Sequence, residues 1–237
     1  SPFLRGTFRM MGLASEIIGK DPRTKGVVIL QMTWSAGDHM VAKKGLRTLS
    51  DLKGKTIAIQ QGVPHDGMLD DILKTAQLSW SDIQLIWAKD LTGSPDSPAE
   101  ILRNNPKVDA CFAITPDMLG LCGGVDSTGT GAEGTVEGAH VLVSTAELSR
   151  SIADVYVCRK DFFDANRELV DKFVAGYLKG CEELLDLKHA YEEGGSAPYE
   201  SLLTMAQDIY GKEVIPVLEE GHGLISDCTF ALYPGNV

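Results

Sequence analysis

The sequence lacks the features that mark several large classes of protein. No apolar run approaches the roughly 20 residues of a membrane-spanning helix, and the first ten residues lack the apolar core of a signal peptide. Basic residues are few, with 22 Lys and Arg against 33 Asp and Glu, for a formal net charge of -11. A nucleic-acid surface needs a basic stripe. We therefore expect no nucleic-acid partner, and we expect any export signal to lie outside this sequence.

Cysteine and histidine are too scattered to indicate a metal site or a nucleophile. An odd number of cysteines cannot all pair within a monomer, and no CxxC pair occurs among Cys111, Cys122, Cys158, Cys181 and Cys228. Cys122 precedes two glycines and is the candidate for an exposed thiol. None of the five histidines lies beside a GxSxG, HExxH or Walker pattern. We predict no bound metal and no cofactor. The cysteine count leaves open whether one disulfide forms.

What the sequence does contain is a strand running directly into a helix near its middle. Residues 56–60 form a short β-branched run, residues 61–64 break it, and apolar side chains then recur at helical spacing from Met68 to Ala76. Such a junction leaves backbone N–H groups pointing beyond the sheet edge, which suits an anionic or polar ligand. The same spacing is also typical of an ordinary β-α unit that binds nothing.

Similar patterns predict the elements on either side. We expect a helix at 4–18, and mainly helices after residue 161. Residues 122–138, rich in glycine, predict a flexible surface loop. Strands are expected at 27–32, 39–42, 56–60, 83–88, 108–115, 140–144 and 153–158. This alternation predicts an α/β fold with mostly parallel sheets.

Four segments, in order along the chain, resemble the type II solute-binding proteins of ABC importers. Residues 49–62, which read LSDLKGKTIAIQQG, resemble the "DLKGK" strand segment of that family. Residues 37–44, 108–117 and 156–163 resemble its crossing segment, its "DA…P" strand and its returning strand. The branch that these segments resemble serves importers of nitrate, sulfonate, taurine and thiamine precursors.

The resemblance implies two α/β lobes joined by two crossing strands, with a small ligand held between them by hinge closure. Residues 1–46 and 156–237 would form lobe I, and residues 47–155 lobe II, with crossings near 42–47 and 153–158. Lobe I is shorter at its front than in the family, so we expect its first strands to be missing. The implied partners are a small molecule and an ABC permease in the membrane. The resemblance implies a monomer in the periplasm or another extracytoplasmic compartment, either free or anchored to the membrane.

Candidate ligand-binding residues follow the ends of the predicted strands, where ligands of such sheets bind. Trp34 can stack on a planar ligand or cover the core. Asp38 or Asp117 can bind an ammonium group, although capping of the next helix is the expected role of Asp117. His65 lies in the first helical turn, facing the ligand or solvent. The candidates are Thr33, Trp34, Ser35, Asp38, Gln61, Gly62, Val63, Pro64, His65, Thr115 and Asp117.

These observations predict a non-enzymatic substrate-binding component of an ABC importer. Its ligand would be a small polar metabolite: a sulfonate, taurine or nitrate, an amine, or a pyrimidine. One alternative is an enzyme of thiamine-pyrimidine synthesis on the same fold, which is disfavoured because the cysteine-rich motif of that chemistry has no counterpart here. Another is a ligand sensor, since importer and sensor both need only ligand-dependent closure.

Overall fold

A computed structural model describes residues 1–148, 150–194, 197–233 and 235–236. Its internal contacts divide the chain into two compact units. Unit 1 comprises Ser1–Trp34 and Ala153–Val237, and unit 2 comprises Ser35–Ile152. Residues 38–42 belong to unit 2 because they pair with strands of the middle segment.

Strands and helices alternate along most of the chain. The strands are β1 (Phe3–Thr7), β2 (Gly26–Ser35), β3 (Asp38–Ala42), β4 (Thr56–Gln60), β5 (Gln84–Ala88), β6 (Ala110–Ile114), β7 (His140–Ser144), β8 (Ala153–Arg159) and β9 (Cys228–Phe230). The helices are α1 (Phe8–Ile18), α2 (Pro64–Thr75), α3 (Pro98–Asn104), α4 (Thr115–Cys122), α5 (Lys160–Ala165), α6 (Arg167–Glu192), α7 (Ala197–Tyr210) and α8 (Leu218–Ser226). Short 3-10 turns lie at Leu49–Leu52 and Trp80–Asp82.

Unit 1 is built on a sheet with strand order β1-β8-β2-β9. Both β1 and β2 run antiparallel to β8. The expected helix at 4–18 therefore begins late, because Phe3–Thr7 pairs along β8 instead, and Thr7 Oγ1 accepts a hydrogen bond from Met10 N that caps α1. Phe173 of α6 stacks on Phe3 at 4.9 Å between ring centroids, which attaches this helix to the sheet. No helix in the described ranges is both long and apolar enough to cross a membrane.

Unit 2 is built on a five-stranded sheet with the order β5-β4-β6-β3-β7. Strand β4 is parallel to β5 and β6, whereas β3 is antiparallel to β6 and β7. The unit 2 sheet is thus mixed, and the pairs of β8 with β1 and β2 in unit 1 are antiparallel, so the sheets are not mostly parallel as expected. The connection from β3 to β4 contains only the 3-10 turn Leu49–Leu52 and no crossover helix, so the two strands run in opposite directions.

This strand order places the ends of several strands along one edge of the unit 2 sheet. The carboxyl ends of β4, β5, β6 and β7 lie there beside the amino end of β3, which begins at Asp38. We call this the Asp38 edge. Helices α2 and α4 follow β4 and β6 directly, so both also begin there.

Two apolar layers cover the faces of this sheet. On one face Met68 and Leu69 of α2 pack with Met40 and Phe112, and each is fully buried. On the other face the core is formed by Val41, Ala58, Leu102, Cys111, Ala113, Met118 and Leu121. Neighbouring residues of β3 thus face opposite layers, as the pleat of a strand requires. Full burial of a large apolar side chain contributes about 1.5–3 kcal/mol, so these layers fix where the two helices begin.

The segment expected as a loop at 122–138 begins with Cys122, the last residue of α4. Residues 123–138 form no helix or strand, as expected, but they are bonded into unit 2. Val136 N donates to Leu121 O at 2.9 Å, and Gly129 N donates to Ala139 O at 2.8 Å. A Cβ atom at Gly129 would lie 2.2 Å from Val136 O, so only glycine fits there. Cys122, expected to be exposed, is 2% exposed because it lies in the core beneath this segment.

Candidate functional site

Three side chains are joined by hydrogen bonds at the Asp38 edge. Nε2 of His65, in the first turn of α2, lies 2.6 Å from Oδ1 of Asp38. Ser35 Oγ donates to the other carboxylate oxygen, Oδ2, at 2.5 Å. His65 also stacks on Phe112, with ring centroids 5.1 Å apart. The sequence named Ser35, Asp38 and His65 separately, and the fold brings them together.

The backbone of Asp38 is fixed by a residue that sequence reasoning missed. Asp38 N donates to Thr145 Oγ1 at 3.0 Å, and Thr145 N donates to Asp38 O at 2.9 Å. Thr145 follows the carboxyl end of β7. The rule that selected the other candidates, a polar residue directly after a strand, would have selected Thr145 as well.

A second pair lies on the opposite face of β3. Nε2 of His39 is 3.2 Å from Thr115 Oγ1, and Thr115 Oγ1 also lies 3.4 Å from Gly37 O, to which it donates. His39 is 1% exposed. Our sequence analysis selected Thr115 as a candidate but not His39, because the histidines are scattered along the chain. Its position next to Asp38 at the start of a strand was the available signal.

Burial and charge set the protonation of these groups. Burial by itself raises the pKa of Asp38, but the hydrogen bond and charge of His65 and the hydrogen bond from Ser35 outweigh it, so the pKa is lowered on balance. Burial lowers the pKa of His39, and the nearby charge of His65 acts in the same direction against the opposing effect of Asp38. The fold therefore favours an ionised Asp38 next to a neutral His39.

The turn between β4 and α2 holds the next four candidates. Gln61 and Gly62 are exposed, whereas Val63 and Pro64 are half-buried. Gly62 has φ of 80°, in the region that favours glycine, and its N–H donates to Asp66 Oδ2 at 2.7 Å. The backbone N–H of Gly62, which we expected to be available to a ligand, is therefore bound by the carboxylate of Asp66.

Asp117 lies in the first turn of α4, but it does not cap the helix as expected. The N-cap residue is Ile114, and no side chain bonds the exposed amides there. The Asp117 carboxyl instead accepts a hydrogen bond from Thr92. Burial raises the pKa of Asp117, and the charge of Glu100 adds to this effect.

Unpartnered polar atoms are concentrated at this edge. Among the described residues, five buried side-chain nitrogen or oxygen atoms have no hydrogen-bond partner. Four of them belong to residues of the Asp38 edge: His39 Nδ1, His65 Nδ1, Asp66 Oδ1 and Asp117 Oδ2. Such atoms are rare in folded proteins, and each calls for an explanation.

The last two candidates belong to unit 1. Thr33 is 7% exposed, and its Oγ1 donates to Asp154 Oδ2 at 2.9 Å. Trp34 is half-buried and pairs with Ala153 at the end of β2. The contacts that join Ser35, Asp38, His39, His65, Thr115 and Thr145 all lie within unit 2.

The described residues offer neither a metal site nor an activated thiol. No group of three His, Cys, Asp or Glu side chains among them is placed to hold a metal ion. All five cysteines are free thiols. Burial raises the pKa of each of them, to about 11 for Cys122 and Cys228. A thiol with a raised pKa is a poor nucleophile.

Comparison with known proteins places this geometry in context. A family model described as NMT1/THI5 like matches residues 36–187, which include all of unit 2 except Ser35. No curated protein matches the chain.

Solved structures share its fold. The periplasmic aliphatic sulphonate binding protein SsuA of Escherichia coli is 17% identical, with a TM-score of 0.59 over 95% of this chain and 63% of that one. The periplasmic sulfonate-binding protein SsuA of Methylobacillus flagellatus KT is 21% identical, with a TM-score of 0.51 over 71% and 48%. The desulfurization enzyme DSZB is 14% identical, with a TM-score of 0.51 over 81% and 65%.

At these identities the likeness concerns the fold alone. It confirms the predicted class, an α/β fold of the type II periplasmic binding proteins. The matches span between 48% and 65% of the lengths of these three proteins.

Proposed function

Because the chain belongs to the NMT1/THI5-like family, we propose that it is the substrate-binding component of an ABC importer. Its cargo is a small polar metabolite, its partner is an ABC permease, and it acts as a monomer in the periplasm or another extracytoplasmic compartment. The two SsuA proteins that share its fold are named as periplasmic sulfonate-binding proteins, which supports this assignment.

The observation that carries the proposal is the set of four unpartnered atoms at the Asp38 edge. A buried polar atom without a partner costs about 1–3 kcal/mol of stability. Folds keep such costs mainly where function requires them. Ligands of open α/β sheets bind beyond the carboxyl ends of the strands, and the four atoms lie there.

The edge is also preorganised, which favours tight binding of a small molecule. Ser35 and His65 hold the two oxygens of the Asp38 carboxylate, and Thr145 holds its backbone. A group that is already fixed loses little entropy when a ligand binds. We assign ligand recognition to Ser35, Asp38, His65, Thr115 and Asp117, with His39 and Thr145 as positioning residues. Gln61, Gly62, Val63 and Pro64 border them, and Thr33 and Trp34 stay candidates in unit 1.

The hydrogen bonds favour a binding protein over a hydrolase. In a serine nucleophile system, histidine lies between serine and the carboxylate and accepts the serine proton. Here Asp38 lies between Ser35 and His65, and Ser35 donates to the carboxylate. A carboxylate with a lowered pKa is too weak a base to activate that hydroxyl.

A thermal-shift screen of the purified chain tests the proposal. The probes are nitrate, ethanesulfonate, taurine, putrescine, succinate and cytosine. A ligand at about 100 times its dissociation constant stabilises the native state by roughly 2.7 kcal/mol. We expect a saturable rise in melting temperature with at least one probe, and loss of that rise in Asp38→Ala. Asp126→Ala, an exposed aspartate in the glycine-rich segment, is the control. A rise that survives in Asp38→Ala would place the site elsewhere.

A further inference from the structure

The charged side chains at the Asp38 edge indicate which charge a ligand must carry to bind there. This inference rests on the proposed function. Three carboxylates lie there, those of Asp38, Asp66 and Asp117. Two cations on the adjoining elements are already paired with carboxylates. Nζ of Lys89, which follows β5, lies 2.8 Å from Oδ2 of Asp96. Nε of Arg103, in α3, lies 3.0 Å from Oε1 of Glu100. An anionic ligand would meet negative groups and no free positive side chain among these.

An anion that finds no positive side chain can bind to the backbone N–H groups of a helix N-terminus. In unit 2 the first turns of α2 and α4 each contain a carboxylate. Asp66 lies in the first turn of α2 and Asp117 in the first turn of α4. Asp66 Oδ2 already accepts the Gly62 N–H at 2.7 Å. An oxyanion bound at either helix start would therefore lie beside a carboxylate of the protein.

The unpartnered carboxylate oxygens are acceptors. Asp66 Oδ1 and Asp117 Oδ2 are both buried, and each can take one hydrogen bond from a donor. Burial raises the pKa of both groups, and a nearby cation would offset that cost.

The two unpartnered histidine nitrogens are acceptors as well when the rings are neutral. The bond to Asp38 places the proton of a neutral His65 on Nε2, so Nδ1 is left with a lone pair. Thr115 Oγ1 donates its proton to Gly37 O, so His39 donates from Nε2 and its Nδ1 is likewise an acceptor. Each ring is 1% exposed. When both rings are neutral, all four atoms are therefore acceptors and call for hydrogen-bond donors.

We propose that the Asp38 edge selects ligands bearing a primary ammonium or a guanidinium group, and rejects oxyanions that lack one. Such groups donate several N–H bonds and carry the positive charge that three carboxylates favour. This specificity differs from the sulfonate binding stated in the names of the two SsuA proteins that share the fold.

Two matched pairs of probes test the inference by isothermal titration calorimetry at constant ionic strength. Putrescine and succinate have the same chain length and opposite charges. Taurine and ethanesulfonate share a sulfonate and differ by one ammonium group. We expect putrescine to bind at least tenfold more tightly than succinate, and taurine at least tenfold more tightly than ethanesulfonate.

Variants locate the effect. Asp117→Asn and Asp66→Asn should each weaken putrescine binding at least fivefold, since each removes one charge and keeps a similar shape. Asp126→Asn makes the same change at an exposed position and should alter binding less than twofold. Melting curves of each variant show whether it is folded.

The outcomes separate the two proposals. Equal or tighter binding of succinate or ethanesulfonate would overturn the inference while leaving a binding protein. Ammonium binding unaffected by either aspartate variant would also overturn it. If none of the four probes binds to the folded chain but nitrate or cytosine raises its melting temperature, only the inference is overturned. If none of the six probes of the thermal-shift screen binds, the proposed function is contradicted as well.

Discussion

Nε2 of His65 and Oδ1 of Asp38 lie 2.6 Å apart, joining the first turn of α2 to the first residue of β3. The side chains are 1% and 14% exposed, so the pair is shielded from water. A charged or strongly polar pair in such surroundings is costly to break, because the remaining partner is left buried without compensation.

Removal of either partner should therefore destabilise unit 2. We expect His65→Ala and Asp38→Ala each to lower the free energy of unfolding by about 3 kcal/mol. The double variant should lose clearly less than the sum, because both changes remove the same interaction. Urea denaturation measures all three. Additive losses would show that the two side chains act independently.

Acidification from pH 7 to pH 5 should lower stability through His39. Its pKa is lowered below 6.5 in the folded chain, so the unfolded chain takes up a proton first and is favoured as the pH falls below 6.5. A difference of one between the pKa values of the folded and unfolded chain corresponds to about 1.4 kcal/mol of stability. His39→Gln should flatten this part of the pH profile, whereas His189→Gln, at an exposed position, should leave it unchanged.

At lower pH the lowered pKa of Asp38 adds a further loss, since its contribution disappears as the pH falls through the folded-state value. The raised pKa values of Asp66 and Asp117 act in the opposite direction. A profile of His39→Gln that runs parallel to the native one would contradict the assignment to His39.

The free chain should become more stable when Asp117 is replaced by Asn. A raised pKa means that the fold penalises the ionised carboxyl, and this penalty is present above the folded-state pKa. Asp117→Asn should gain about 1 kcal/mol at pH 7, or roughly 2–4 °C in melting temperature. The gain should vanish at low pH, where the carboxyl is protonated. A lower melting temperature at pH 7 would indicate a structural role for this carboxylate.

Any replacement of Gly129, in the segment that follows α4, should lower the free energy of unfolding. A Cβ atom there would lie 2.2 Å from Val136 O and 2.7 Å from Leu121 O, and backbone atoms cannot move aside cheaply. We expect Gly129→Ala to cost at least about 2 kcal/mol. Gly180→Ala, inside α6 with open space around it, should instead stabilise by up to about 1 kcal/mol. Differential scanning calorimetry of the two variants provides the comparison, and similar melting temperatures would contradict it.

Local sequence patterns determined the elements around the site. The β-branched run at 56–60 forms β4, and the helical spacing of Met68, Leu69, Ile72 and Leu73 places all four in the core beneath α2. Periodicity of this kind is a property of a few consecutive residues, so it can be read without knowing the fold. Strand ends read in this way also selected Asp38, His65 and Thr115, because ligands of open α/β sheets bind beyond the ends of strands.

Tertiary structure alone decided which strands and side chains meet. Phe3–Thr7 became a strand because β8 was available to pair with it, and β3 made the second sheet mixed by entering it antiparallel to its neighbours. Thr145 holds Asp38 across 107 residues of sequence. Such contacts depend on how distant segments pack, and no local pattern encodes them. The sequence thus determined the strand and helix at the centre of the site, while the packing of unit 2 decided which polar atoms are buried there and which are left without a partner.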